Sequence, residues 1–84
     1  MVSVKLFGTF RLDSGIKELE LDVSSIKKLL PLIMDEVKRR DPETELTITD
    51  LKGCIFSLNG KQVGMSAKLK DGDVLYLVPA VAGG

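Results

Sequence analysis

The sequence predicts an α+β fold in which one main helix lies on one face of a mixed sheet. Three observations lead there: apolar and polar residues alternate near both ends, a helical apolar stripe lies between them, and Asn59-Gly60 signals a tight hairpin in the second half. At 84 residues, 44% of them hydrophobic, the chain has material for one core and no room for a second.

Val2, Val4 and Leu6 alternate with Ser3, Lys5 and Phe7, as in a strand with one face on a core. Leu12-Asp13-Ser14-Gly15 supplies turn residues, after which Leu19, Leu21 and Val23 alternate with Glu18, Glu20 and Asp22. The two segments read as an N-terminal hairpin. Ser24 or Ser25 is placed to cap a helix, because a side-chain oxygen there can accept from an unpaired backbone N–H of the first turn. Ile26, Leu29, Leu30, Ile33, Met34 and Val37 then form a stripe at three- and four-residue spacing. Pro31 interrupts the ideal pattern and predicts a kink or an irregular first turn. Lys38, Arg39 and Arg40 suit the negative end of the helix dipole, and Pro42 marks its limit.

Between Asp41 and Gly53 the pattern is weak. Leu46 and Ile48 alternate with Thr47 and Thr49, which suggests a short extended piece, while Asp50 and Gly53 punctuate it, and the stretch is left undecided. Cys54, Phe56 and Leu58 alternate again and lead into Asn59-Gly60, whose residues both tolerate positive φ, and then into Lys61-Gln62-Val63. Lys70-Asp71-Gly72-Asp73 is a further turn before the β-branched and aromatic run Val74 to Val78, expected as the central strand. This order of elements is that of a β-grasp. It gives a domain over residues 1–78 and a tail over residues 79–84.

Several classes of function are poorly served by this composition. Twelve basic and twelve acidic residues cancel, with no charged block to attract nucleic acid or an anionic membrane, so protein partners are expected. There is no histidine, the commonest general base and metal ligand, and a single cysteine cannot build a thiolate metal site. A chain with one cysteine, no leader pattern and no apolar run near the ~20 residues of a membrane span reads as cytoplasmic. Cys54 itself alternates in phase with Phe56 and Leu58, which favours a small core hydrophobe over a persulfide site.

The tail is the feature that chemistry can use. Pro79 withholds a ladder donor, and Ala80, Val81, Ala82, Gly83 and Gly84 follow, small, uncharged and expected to protrude. Glycines without Cβ can thread a narrow channel in another protein and present the Gly84 carboxylate there. Phe7, Val74, Tyr76 and Val78 fall on the face opposite Val4, Leu6, Leu75 and Leu77, and clustered near the tail they would form a docking patch. Lys5, Arg11 and the cations at the helix end call for no role beyond solvation.

Leu-Lys-Asp-Gly-Asp-Val, followed by Leu-Tyr-Leu-Val-Pro-Ala-Val-Ala-Gly-Gly, resembles the C-terminal third of the small subunit of molybdopterin synthase, and the N-terminal Val-Lys-Leu-Phe-Gly is similar to that family too. The likeness extends to the wider MoaD/ThiS-type ubiquitin-like sulfur carriers, including those of thiamine and cysteine synthesis. Ala80 differs from the second proline many synthase subunits carry, and the stretch between helix and third strand is longer.

The resemblance implies a carrier and co-substrate with no bound cofactor. A ubiquitin-activating-type adenylyltransferase would adenylate the Gly84 carboxylate with its own ATP and magnesium. A desulfurase- or rhodanese-type donor would convert the adenylate to a thiocarboxylate, and an acceptor such as the large synthase subunit would take the sulfur. Gly83 and the segment Val78 to Ala82 correspond to the part inserted into partner enzymes. A modifier joined to lysines through Gly84 would use the same acyl-adenylate, and a non-covalent binding module would not need the glycine pair.

Overall fold

The alternation of Val2, Val4 and Leu6 becomes β1 (Val2–Leu6), whose inward residues are almost wholly buried. In the computed structural model, which describes residues 1–80, β1 is followed by α1 (Gly8–Ser14), β2 (Glu18–Leu21), α2 (Ile26–Arg40), α3 (Ile48–Lys52), β3 (Ile55–Leu58), β4 (Lys61–Val63) and β5 (Val74–Val78). The five strands form one sheet in the order β2-β1-β5-β3-β4. β1 and β5 run parallel at its centre, and the other neighbours are antiparallel. α2 covers one face, burying Ile26, Leu29, Leu30, Ile33, Met34 and Val37 against Val4, Leu6, Leu75, Leu77 and Phe56. Each such side chain contributes on the order of 1.5–3 kcal/mol of burial. The result is the expected β-grasp.

Of the two candidate caps, Ser25 is the one used, and its Oγ accepts from the Lys28 N–H at 3.2 Å. α2 runs through Pro31 without a break, and Pro31 is exposed. At the far end of α2 Glu36 accepts from both Arg39 and Arg40, the Arg40 contact measuring 3.0 Å, so part of the charge run is balanced within its own helix. Asn59 and Gly60 adopt φ of 51° and 88°, as the tight hairpin between β3 and β4 requires. No helix of the described residues is long and apolar enough to cross a membrane.

One expectation needs correction, and a stretch that the sequence left open is decided. β1 and β2 are antiparallel neighbours, but the link between them is the helix α1 and not a turn at residues 12–15. Phe10 and Ile16 anchor that helix in the core, Ser14 Oγ donates to the Phe10 carbonyl at 2.6 Å, and Gly15 ends it with φ of 71°. The suggested extended piece at residues 46–49 is replaced by a loop and α3. Thr47 Oγ1 accepts from the Asp50 N–H while the Asp50 carboxylate accepts from the Thr47 N–H, a capping box that wins over the two-residue alternation. Leu51 is then buried completely. The first residue of the tail, Pro79, is half-buried and lies close against Gly8.

Candidate functional site

β5 carries the site because it lies in the middle of the sheet and delivers the chain to the tail. Its inward residues Leu75 and Leu77 are fully buried, so the intervening Val74, Tyr76 and Val78 must face the side that α2 leaves open. The register places Tyr76 between Lys5 and Ser57, and Val78 beside Ile55. The Phe7 N–H donates to the Leu77 carbonyl at 3.1 Å, which holds Phe7 at the same end. Phe7 and Tyr76 meet with ring centroids 5.0 Å apart and planes tilted by 57°, a favourable aromatic arrangement.

The patch therefore exists where Phe7, Tyr76 and Val78 come together. Phe7 and Tyr76 each keep 37% of their surface exposed, and Ile55, which the sequence reading left out, keeps 39%. Ile55 was signalled by its alternation with buried Phe56, a pattern that places it on the open face. Val74 is on this face too, but four residues further from Val78, beside the Asn59-Gly60 hairpin. Lys5 Nζ stands 5.9 Å from the Tyr76 ring centroid, putting a cation at the rim of the apolar surface.

The turn before β5 is fastened by Asp73. Its carboxylate accepts from Asn59 Nδ2 at 3.0 Å and from the Lys70 N–H at 2.7 Å, and these bonds, with the Asn59 amide first, hold the carboxyl below its ordinary value. Asn59 Oδ1 in turn accepts from the Val74 N–H at 2.9 Å. The hairpin and the turn are thereby locked to the first residue of the strand.

At the other end of β5, Pro79 and Ala80 border a groove of about 480 Å³. Its walls come from Thr9 and Phe10 of α1 and from Leu46, Thr49 and Asp50 around α3. Val81, Ala82, Gly83 and Gly84, the remaining site residues named from the sequence, lie outside the described residues. Cys54 is half-buried, packs against the core, and has its thiol pushed up to about 12 by burial. Such a thiol is a poor persulfide former, because the thiolate is the reactive species. Among the described residues no group of three or more potential ligands could hold a metal ion.

A five-stranded β-grasp sheet with its open apolar face beside the root of a C-terminal glycine tail defines a ubiquitin-like protein of the sulfur-carrier type. The chain belongs to the ThiS family, which it matches over residues 4–84.

Among solved structures it is similar to the small archaeal modifier protein 1 of Methanosarcina acetivorans, with 26% identity, a TM-score of 0.72, and coverage of 99% of this chain and 95% of that one. A chain of the Amycolatopsis orientalis BexX/CysO complex is 28% identical, with all of both chains covered and a TM-score of 0.64. A chain from the complex of subunits 1 and 2 of the molybdopterin-converting factor of Helicobacter pylori 26695 is 26% identical, with coverage of 99% and 97% and a TM-score of 0.63. A search of curated protein sequences gave no significant match.

Proposed function

We propose that this protein is a sulfur carrier whose reacting group is the Gly84 carboxylate, serving first the synthesis of a molybdenum- or tungsten-pterin cofactor. The observation that carries the reading is the family match, which runs through Gly83 and Gly84. The carboxylate is a poor electrophile as it stands. Attack of its oxygen on the α-phosphate of ATP, in the site of a partner adenylyltransferase, releases pyrophosphate and makes an acyl-adenylate with AMP as leaving group. The terminal sulfur of a persulfide on a desulfurase- or rhodanese-type donor then attacks the acyl carbon and displaces AMP, and a thiol cleaves the resulting acyl disulfide, releasing the thiocarboxylate and leaving a disulfide behind. ATP and magnesium belong to that partner, and the carrier contributes the acyl group and its presentation.

The open face is suited to successive docking on the activating enzyme and the acceptor, with Phe7, Tyr76, Val78 and Ile55 as the apolar centre. The similarity to a chain found in complex with subunit 2 of a molybdopterin-converting factor supports an acceptor subunit as one partner. Similarity to a CysO chain keeps a cysteine-type pathway in view, and similarity to an archaeal modifier keeps lysine conjugation through Gly84 as the second reading.

Intact mass of the protein from its native cells, with fragmentation of the C-terminal peptide, separates these. A gain of about 16 Da on Gly84, the oxygen-to-sulfur exchange expected after activation, supports sulfur carriage. Lysine-linked adducts without that gain would support the modifier instead. Gly84→Ala should slow activation at least about tenfold, by misplacing the carboxylate in a narrow channel, while leaving the melting temperature unchanged. Normal turnover of that variant would sink the proposal.

A further inference from the structure

Gly8 stands where β1 gives way to α1, and the space its missing side chain leaves is taken by the tail. A Cβ at Gly8 would lie 3.2 Å from Cγ and 3.3 Å from Cδ of Pro79, closer than the ~3.5–4.0 Å of ordinary carbon contacts. Neither ring atom can swing aside as the end of a flexible side chain would, because the pyrrolidine is closed onto its own backbone nitrogen. Gly8 also has φ of 57°, where other residues are strained.

The backbone on either side is tied down. β1 and β5 pair in parallel up to Leu6 and Leu77, and the Phe7 N–H donates to the Leu77 carbonyl at 3.1 Å. Pro79 is thus held two residues beyond a fixed point, with its ring on Gly8, and Ala80 borders the groove between α1 and α3. A Cβ at position 8 would oblige the Pro79 ring to give by a few tenths of an ångström, and the ring can do so only together with the backbone that carries it.

We infer that Gly8 is a positioning residue for the root of the tail: by leaving room for the Pro79 ring it sets the direction in which Pro79 and Ala80 leave β5, beside the groove lined by Thr9, Phe10, Thr49 and Asp50. The functional half of this inference rests on the carrier reading, since the direction of departure determines where the Gly84 carboxylate can be presented while the open face is docked. Gly8 acts through Pro79 and touches no reacting atom.

Two readouts test it, one of which needs no partner. In the free protein, NMR should show cross-peaks between the Gly8 Hα protons and the Pro79 ring. Gly8→Asn should shift the Ala80 signals, and Gly8→Asn combined with Pro79→Ala should return them towards those of Pro79→Ala alone. Asparagine is chosen because it tolerates positive φ better than most residues, so the variant keeps its fold while still carrying a Cβ. With the activating enzyme, Gly8→Asn should lose about tenfold in kcat/KM, and the double variant should recover most of the loss relative to Pro79→Ala.

Absent cross-peaks in the wild-type protein, or Ala80 signals indifferent to Gly8→Asn, would overturn the inference whatever the protein's function. A slow Gly8→Asn variant that Pro79→Ala does not rescue would also overturn it, because the defect would then come from the backbone and not from the ring contact. If the wild-type protein is not activated at all, the carrier reading fails, and the NMR comparison alone decides for or against the positioning contact.

Discussion

Asp73 fastens the turn before β5 through two accepted hydrogen bonds, and its behaviour with pH follows from them. Bonds from Asn59 and from the Lys70 N–H favour the charged form and hold the carboxyl below the ordinary 3.8. A carboxyl lowered in the folded state contributes stability that is present above the unfolded value and lost as pH falls through the folded one. Asp73→Asn should therefore melt below wild type at neutral pH, with the gap closing as pH is lowered below the ordinary 3.8 and through the depressed folded-state value. A gap independent of pH in a series of thermal melts would mean that the charge is not what fastens the turn. Cys54 is governed by the opposite term. Burial lifts its thiol from 9.0 to about 12, so at pH near 8 it should alkylate far more slowly than a free thiol, as read by mass after timed exposure to iodoacetamide. Rapid alkylation of the folded protein would revive Cys54 as a reactive site.

At the scale of elements, caps decided what periodicity left open. Ser25 starts α2 by accepting from Lys28, and Ser25→Ala should cost about 1 kcal/mol in urea unfolding, with no change in the slope that reports exposed surface. A loss near zero would show that packing of the apolar stripe, and not the cap, fixes where α2 begins. The capping box at Thr47 and Asp50 makes α3 a helix although Leu46 and Ile48 alternate like a strand. The signal was present as Thr47-Ile48-Thr49-Asp50 directly before an apolar residue, but five residues are too few for a helical stripe to declare itself. α1 was hidden for a similar reason. Its core contact rests on Phe10 alone within seven residues, and its closing Ser14-Gly15 also reads as a turn.

For the whole molecule, the useful division is between the two faces of the sheet. One is closed by α2, and the other leaves Phe7, Tyr76, Val78 and Ile55 accessible around the point where the tail departs. Tyr76→Asp should lower the melting temperature modestly, through loss of the Phe7 contact and of strand propensity in β5, and weaken binding to the activating enzyme by at least about tenfold, measured by calorimetry against Tyr76→Thr as a strand-compatible control. Unchanged affinity would place docking elsewhere. Under the proposed docking, the same geometry would couple docking to presentation: Phe7, which belongs to the patch, is adjacent in sequence to Gly8, on which Pro79 rests. A partner seated on the patch is therefore within a residue of the contact that directs the tail.

The sequence by itself determined the strands, the main helix, the Asn59-Gly60 hairpin and the central place of β5, because each depends on local periodicity or turn chemistry that repeats over several residues. It also singled out Phe7, Val74, Tyr76 and Val78, since alternation on buried Leu6, Leu75 and Leu77 decides which face their neighbours take, though Val74 lies at the other end of β5. Only the tertiary structure decided that Ile55 completes the patch, that α1 and α3 wall a groove, and that Pro79 is seated on Gly8. Those are contacts between segments far apart in the chain. Glycine 8 and proline 79 are separated by nearly the whole sequence, and nothing local to either one announces the other; the parallel pairing of β1 with β5 brings them together.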